Sequence, residues 1–149
     1  MARFYTLSAY ETSAEDFFNA LLEHHTDLVL DIRLKNTNQL CGFTKEKDLA
    51  YFIPKITGAK YVHDVRLAPS PALLEAYQKH VADWEVYRSR YLDEMEKADV
   101  PEYFKENYGK YQSICLLGTA TKKRRSHSEA LLELLEKEDN GQDNEPGTR

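Results

Sequence analysis

Apolar runs alternate with amphipathic stretches along the chain and predict strands separated by helices. Residues 3–9 predict the first strand, because Phe4, Tyr5, Thr6 and Leu7 favour extended structure. Residues 28–32 are nearly all apolar, as is typical of a buried parallel strand. Residues 60–67 and the apolar run 114–117 predict a third and a fourth strand.

Apolar residues three and four positions apart predict the helices. The first helix follows Thr12 or Ser13, either of which can cap it. The second covers residues 45–56, with Thr44 as its cap and with an end or a kink at Pro54.

The region before the fourth strand is also helical in pattern. Residues 72–97 have helical periodicity with a break expected near residues 80–83, and residues 101–108 predict another short helix. The last helix opens with Ser126 and Glu129, three residues apart, which is the spacing of a capping box.

This order of elements predicts a single three-layer α/β domain over residues 1–138. Its sheet is mostly parallel, has about four strands, and receives a helical insertion before the last strand. Residues 139–149 carry no apolar side chain that could dock on a core, so they predict a disordered C-terminal tail.

Composition narrows the class of protein. The 149 residues carry a net charge of −5, which argues against a non-specific coat on nucleic acid. No apolar run approaches the roughly 20 residues that span a bilayer, and the N-terminus lacks the zones of a signal peptide. The two cysteines are too few for a disulfide framework and do not have zinc-site spacing. These features predict a cytoplasmic protein with no membrane partner, no cofactor and no metal.

The chemically capable residues lie where the predicted strands end. In parallel sheets, ligands bind beyond the carboxyl ends of the strands. The four segments at that edge are residues 8–10, 31–33, 63–66 and 118–127. Because the chemically capable residues are concentrated in these four segments, we predict a ligand site at this edge.

Residues 122–125 place four cations in a row before the last helix, whose free N–H groups attract anions. An oxyanion is therefore expected where residues 118–121 meet residues 126–128. Lys122 and Lys123 are expected to face solvent. The predicted ligand-binding residues are Arg33, Gly118, Thr119, Arg124, Arg125, Ser126 and Ser128.

Three residues are candidate catalytic groups, each with a structural alternative. Asp31 lies two residues from Arg33, so the two share a strand face and form either a pocket floor or a structural ion pair. His63 is either a general base or a packed histidine. His127 is expected to stay neutral at the helix N-terminus, as a ligand contact or as an exposed first-turn residue.

Several short motifs also occur in an order and spacing known from one family. They are Asp31-Ile32-Arg33, Gly42-Phe43, Tyr61-Val62-His63, Leu67-Ala68-Pro69-Ser70, and the aromatic residues Trp84, Tyr87 and Tyr91. On these motifs the chain resembles the domain of unknown function 488 family over roughly residues 4–135. The resemblance implies a fold and a site location, and no reaction.

The chain lacks two cysteines that are usual in that family. The family usually ends its last strand with Leu-Leu-Cys-x-Glu and opens its last helix with Cys-His-Arg. Gly118 and Ser126 stand at these cysteine positions, and only His127 remains of the second motif. Cys115 is an odd number of residues from Gly118, so it is expected on the opposite face of the sheet. The resemblance therefore implies a divergent member without the family's usual thiols.

Three functions remain open from the sequence. The first is binding of a small anionic or phosphate-bearing ligand. The second is an enzyme of hydrolase or transferase type, with Asp31 or His63 as general base. The third, less favoured, is a nucleic-acid accessory protein that uses the basic turn as a patch. The oligomeric state does not follow from the residues.

Overall fold

The computed structural model describes residues 2–143, with side chains described for residues 2–138. Its centre is a four-stranded parallel sheet in the order β1-β4-β2-β3. The strands are β1 (Arg3–Ser8), β2 (Leu28–Asp31), β3 (Lys60–His63) and β4 (Ser113–Gly118). β4 is paired with β1 on one side, in register from Arg3↔Ser113 to Ser8↔Gly118, and with β2 on the other.

Six α-helices flank the sheet. They are α1 (Ala14–Glu23), α2 (Glu46–Thr57), α3 (Pro71–Gln78), α4 (Trp84–Lys97), α5 (Val100–Tyr108) and α6 (His127–Asp143). Two short 3₁₀ helices, Gln39–Thr44 and Val65–Leu67, follow β2 and β3. Within residues 2–143, none of the helices combines the length and apolar character that a membrane crossing requires.

The two faces of the sheet carry separate apolar cores. Cys115 and Leu117 of β4 pack with α1 and α2, whereas Ile114 and Leu116 of the same strand pack with α3, α4, α5 and α6. This division follows from the two-residue period of a strand, which sends successive side chains to opposite faces. The fold is therefore the three-layer α/β arrangement that the sequence predicts.

The helical insertion has the predicted break. α3 ends at Gln78 and α4 begins at Trp84. Between them His80 has a positive φ of 61°. The carboxylate of Asp83 then caps α4 by accepting from the N–H of Val86 at 2.9 Å. The insertion thus turns back on itself, and its aromatic residues face the sheet.

The third strand is shorter than predicted. It ends at His63, and residues 65–67 form a 3₁₀ helix instead of continuing the strand. The reason is local, because the Asp64 side chain accepts a hydrogen bond from the N–H of Arg66 at 3.0 Å. An aspartate that bonds the backbone two residues on favours a turn over a strand.

The second helix also differs from its prediction. Thr44 does not cap α2, because its hydroxyl donates to the carbonyl of Cys41 at 2.7 Å and Lys45 takes the capping position. Pro54 does not end the helix, which continues to Thr57 and closes at Gly58 with φ 76°. Ile53 is fully buried in the core and holds this last turn in place.

The last helix runs further than predicted. Its backbone is helical to Asp143, five residues beyond the expected end of the domain at residue 138. The remainder of the predicted tail, residues 144–149, lies outside the described residues. Whether residues 139–149 contribute to stability stays a prediction.

Candidate functional site

The carboxyl ends of β4 and β2 form the centre of the site. The chain leaves β4 toward α6 on one face of the sheet, and it leaves β1 and β2 toward α1 and α2 on the other face. Adjacent strands whose connections diverge in this way open a crevice, where ligands bind in open α/β sheets. The predicted segments do meet at this edge, but they divide into two groups on opposite faces.

The first group, here called the polar cluster, consists of Asp31, Arg33, Asn36, Thr44 and Tyr61 on the α1/α2 face. Asp31 and Arg33 are 0% and 1% exposed. The guanidinium faces the carboxylate side-on: Nε donates to Oδ1 at 2.8 Å and Nη2 donates to Oδ2 at 2.7 Å. The geometry is that of a buried ion pair with two parallel hydrogen bonds.

Further donors complete the surroundings of the Asp31 carboxylate. The amide of Asn36 donates to Oδ2 at 2.9 Å, and the hydroxyl of Tyr61 donates to the same oxygen at 2.6 Å. Burial alone would raise the pKa of Asp31, but the hydrogen bonds and charge of Arg33 outweigh it and hold that pKa below its usual value. A carboxylate this well stabilised is a weak proton acceptor, so the arrangement disfavours a general-base role for Asp31.

The Arg33 guanidinium keeps one donor unused. Its Nη2 also donates to the carbonyl of Thr44 at 2.5 Å. Its Nη1 is buried and has no hydrogen-bond partner within the part of the chain that the structure describes. A buried N–H on a charged group that lacks an acceptor is costly, by about 1–3 kcal/mol or more. The position therefore offers a positively charged donor to an incoming acceptor.

His63 lies beside the polar cluster with both ring nitrogens occupied. Nδ1 is 2.7 Å from Oε2 of Glu46, and Nε2 is 2.7 Å from the carbonyl oxygen of Arg33. Both neighbouring oxygens are hydrogen-bond acceptors. The ring links β3 to α2 and to the segment after β2, so both of its nitrogens are engaged in contacts within the chain.

The second group lies on the α3–α6 face, where helix α6 begins. The N–H of Ser126 donates to Oε2 of Glu129 at 3.1 Å, which is one half of the predicted capping box. The Ser126 hydroxyl oxygen accepts from the N–H of Thr119 at 3.2 Å and of Ser128 at 3.3 Å. These two N–H groups, which were expected to hold an anion, are bonded to the chain itself.

Gly118 sits directly under this first turn. A Cβ placed on it would lie 2.5 Å from the Ser128 hydroxyl oxygen and 2.6 Å from that of Ser126. The two hydroxyls could rotate away, but the Cβ of Ser128 lies 2.8 Å from the same position and cannot, so a side chain here requires α6 and β4 to shift apart. Gly118 therefore permits a close approach that fills the space expected for the ligand.

His127 lies on the α3–α6 face of the sheet, at the start of α6. It is 3% exposed. Its Nε2 donates to the carbonyl of Ile32 at 2.6 Å, while the hydroxyl of Tyr87 is 3.4 Å from Nδ1. Burial lowers the pKa of His127 to about 4, against the weaker opposing effects of Ile32 and Asp31. The ring is neutral at physiological pH, as expected, but it is buried and connects α6 to β2.

The four cations form a tight turn that we call the basic turn, residues 122–125. Thr121 and Arg124 exchange two backbone hydrogen bonds and place Lys122 and Lys123 at its exposed tip. Arg124 lies over the ring of Tyr77, at 5.6 Å from its centroid.

Arg125 is more firmly engaged than Arg124. It lies over Trp84, 4.5 Å from the ring centroid, and its Nε is 3.1 Å from Oε1 of Glu129. Within residues 2–138, the other three cations of the basic turn form no ion pair.

The two cysteines occupy different environments. Cys115 is fully buried on the α1/α2 face, opposite to the direction of a Cβ on Gly118, as the sequence predicts. Burial raises the pKa of its thiol far above the usual value. Cys41 is partly exposed on the 3₁₀ segment after β2, near the polar cluster. Among the described residues, no three histidine, cysteine or acidic side chains gather closely enough to hold a metal ion.

Comparison with known proteins identifies the family. Residues 13–135 match the family described as Domain of unknown function DUF488. The chain belongs to the DUF488 family. No curated protein and no solved structure matches this DUF488 chain.

Sequence reasoning missed several members of the site. Tyr61 could have been found, because it lies two residues from His63 on the same face of β3. Asn36 and Thr44 lie in the segment after β2, where no strand or helix period predicts which side chains turn inward. Of the predicted ligand contacts, only Arg33 is in the polar cluster, and the others gather around the start of α6.

Proposed function

We propose that this DUF488 protein binds a small oxyanion or phosphate-bearing ligand at the carboxyl edge of the sheet, with Arg33 as its principal contact. The observation that carries the proposal is the Nη1 nitrogen of Arg33. It is buried, it belongs to a charged group, and it has no acceptor among the described residues. An oxyanion supplies both the missing acceptor and a matching charge.

The surroundings of Arg33 support an anion over a neutral ligand. Burial alone would lower the pKa of the guanidinium, but Asp31 outweighs this and holds the pKa above its usual value, so the group stays charged. The ligand would enter between Arg33 and the segment Gln39–Thr44, whose residue Leu40 is 91% exposed.

The basic turn adds to the attraction from the neighbouring strand end. Lys122, Lys123 and Arg124 form no ion pair within the described residues, although the Glu11 carboxylate accepts from the backbone N–H of Lys122 at 2.6 Å and offsets part of their charge. Unpaired cations on one edge produce a positive potential that concentrates anions, and its effect weakens as salt is added. These cations would contribute to binding through their electrostatic potential and not through direct contact with the ligand.

The enzyme alternative has less support than binding. A general base needs an accessible lone pair at a pKa near the working pH. The oxygens of Asp31 are surrounded by donors, and both nitrogens of His63 face acceptors. The nucleic-acid alternative rests on the basic turn, where Arg125 already contacts Trp84 and Glu129.

The experiment is a titration with inorganic phosphate, and with sulfate in parallel, followed by NMR of backbone amides and arginine side chains. We expect saturable shifts in the Arg33 side chain and in the amides of residues 39–44, with a dissociation constant on the order of 1 mM or tighter. Arg33→Lys keeps the charge but loses the planar fork, and it should weaken binding about tenfold or more.

The matched control is Lys122→Gln with Lys123→Gln, which removes two exposed charges from the basic turn. It should change the affinity less than Arg33→Lys and should reduce its dependence on salt. Shifts confined to residues 118–128, with Arg33 unmoved, would contradict the proposal and place the anion at the start of α6. Far-ultraviolet circular dichroism checks that each variant is folded.

We also propose a cytoplasmic location for this DUF488 chain. The support is that both cysteines are free thiols in the structure. Free thiols are usual in reducing compartments. Fractionation of the native host cells, with detection of the untagged protein, tests this location.

A further inference from the structure

Strand β1 forms an open edge of the sheet. It pairs only with β4, which lies between β1 and β2. Its residues are exposed or half-buried, whereas every residue of β2 and β4 is buried. The side of β1 that faces away from β4 is therefore accessible to another strand.

The register of β1 on β4 determines which backbone groups point outward. The N–H of Arg3 donates to the carbonyl of Gln112 at 2.8 Å, so the odd-numbered residues of β1 face β4. Successive residues turn their backbone groups to opposite sides of a strand, and the outward residues are Phe4, Thr6 and Ser8. Their backbone N–H and C=O groups form no hydrogen bond within the part of the chain that the structure describes.

The composition of this edge does not oppose pairing with another strand. Residues 4–8 carry no charge and no proline. Natural edge strands are often protected from pairing by a lysine, a proline or a short length. The other edge strand, β3, has such protection, because it has only four residues and begins at the exposed Lys60. The edge at β1 is thus the longer and the less protected of the two.

The outward residues are placed for symmetric pairing. When two β1 strands run antiparallel about a twofold axis at Thr6, the outward groups of Phe4 meet those of Ser8 in the other copy. Thr6 meets its own counterpart, so all outward groups of both strands gain partners. On the α1/α2 face, the half-buried Tyr5 and Leu7 lie opposite each other across the pair and lose contact with water.

Charge favours the same antiparallel arrangement. Arg3 is exposed at the start of β1 and forms no ion pair within residues 2–138. Helix α1 follows the end of β1 and carries the exposed carboxylates of Glu15 and Asp16 in its first turn. An antiparallel pair brings the start of one β1 beside the end of the other, so each Arg3 approaches the acidic turn of its neighbour. A parallel pair would place the two Arg3 side chains together.

We propose that the protein forms a symmetric dimer, in which a second copy of this chain adds its β1 antiparallel to β1 about Thr6. The two sheets then become one continuous sheet, by the addition of a strand at an open edge. Arg33 follows β2, which β4 separates from this edge. The interface is therefore a different surface from the proposed ligand site, and either proposal can fail without the other.

The experiment measures association and locates it. Sedimentation velocity of the full chain from about 1 µM to about 1 mM should show a dimer with a dissociation constant on the order of 10 µM, as suits a small interface. Amide hydrogen exchange, read by mass spectrometry with residue-level fragmentation, should slow by about tenfold at the highest concentration for Phe4, Thr6 and Ser8. The amides of Tyr5 and Leu7, which face β4, should change much less.

Two variants at the twofold axis sharpen the test. Thr6→Pro removes the central outward N–H and spares the bonds to β4, because proline is tolerated on an edge strand when its nitrogen faces outward. Thr6→Lys keeps the backbone and places two like charges opposite each other. Each should raise the dissociation constant about tenfold or more. The matched control is Thr37→Lys, which adds the same charge at an exposed threonine outside β1 and should leave the dimer unchanged.

Three outcomes would overturn the proposal. A monomer at every concentration would exclude a second copy and leave the edge to a strand of another protein. A dimer whose outward amides exchange no more slowly than those of the monomer would show that the copies meet elsewhere. Equal weakening by Thr6→Lys and Thr37→Lys would reduce the effect to net charge. The exchange measurement uses the unmodified chain, so it decides the matter even where Thr6→Pro does not fold.

Discussion

The polar cluster and the basic turn lie at the same edge of the sheet but neutralise their charges in opposite ways. In the polar cluster, the Asp31 carboxylate and the Arg33 guanidinium face each other in a buried fork. In the basic turn, Arg124 and Arg125 lie over aromatic rings and Lys122 and Lys123 face solvent. One region is closed around a buried ion pair, whereas the other is exposed to solvent, and its ion pair between Arg125 and Glu129 lies at the surface.

The comparison shows that a buried arginine and a surface arginine have their charges stabilised in different ways. A buried charge without a partner is costly, so the Nε and Nη2 nitrogens of Arg33 donate to the Asp31 carboxylate and to the carbonyl of Thr44. A surface arginine needs no carboxylate, because water and the face of an aromatic ring suffice. The single unpaired nitrogen is therefore informative in the polar cluster, where every other donor is matched, and would mean little in the basic turn.

The largest expected effect comes from breaking the buried pair. Asp31→Asn leaves the Arg33 charge buried without its counter-ion and should lower the free energy of unfolding by about 3–5 kcal/mol. Lys122→Gln, the matched change in the basic turn, should have no measurable effect. Urea denaturation monitored by circular dichroism gives both values. A cost for Asp31→Asn below about 1 kcal/mol would remove the distinction between the two regions.

His127, buried at the start of α6, should make the stability of the fold depend on pH. Burial lowers the pKa of His127 in the folded state to about 4 from its ordinary value of 6.5, so the unfolded chain binds more protons at mildly acid pH. The associated stability is fully present above about pH 6.5 and is lost as the pH falls to about 4, by about 3 kcal/mol.

The matched variant for this test is His127→Gln, which can still donate to the carbonyl of Ile32 and does not titrate. The difference in free energy of unfolding between pH 7 and pH 4.5 should be smaller in the variant by about 2–3 kcal/mol. Equal pH dependence in the two proteins would show that the imidazole is not excluded from water in solution.

Substitution of Gly118 tests how closely the start of α6 packs against the end of β4. Gly118→Ala places a methyl group on the hydroxyls of Ser126 and Ser128 and should cost about 1–3 kcal/mol. Ser128→Gly in the same chain removes the nearest obstruction, so the double variant should be more stable than the sum of the two single changes implies. Strict additivity would mean that α6 moves away without resistance.

The smallest effect is expected at the C-terminus. Residues 139–149 carry no apolar side chain, so a chain ending at Glu138 should melt at the same temperature as the full chain. A loss of about 1 kcal/mol would appear as a fall of roughly 2–4 °C in differential scanning calorimetry. Such a fall would show that the helical turn at residues 139–143 contributes to the fold.

Local sequence patterns account for most of the elements. Ser13 caps α1 by accepting from the N–H of Asp16 at 3.1 Å, and the break before α4 lies where its periodicity predicts. The predictions that the structure contradicts fail where a side chain bonds to nearby backbone groups and so changes the end of the predicted element. Asp64 ends β3 through its own side chain, and Thr44 bonds to Cys41 instead of capping α2.

The candidate site could be predicted only in part. Asp31 and Arg33 share a strand face by their spacing, and their pairing follows from opposite charge at short range. Asn36 and Tyr61 also donate to the Asp31 carboxylate. Asn36 lies in a loop and Tyr61 on a neighbouring strand, so no periodicity in the local sequence predicts these two contacts. The neutral state of His127 was expected from the helix N-terminus, whereas burial is its main cause.

The sequence by itself determined the order and type of most strands and helices, because capping side chains and apolar periods act over a few residues, but the ends of β3, α2 and α6 differ from their predictions. Only the tertiary structure decided which face of the sheet each crossover covers. That choice sent Arg33 and His63 to one side and Ser126 and Arg125 to the other, although all follow strand ends. It is set by packing of whole elements against the sheet, whose free energy is shared among residues far apart in the chain.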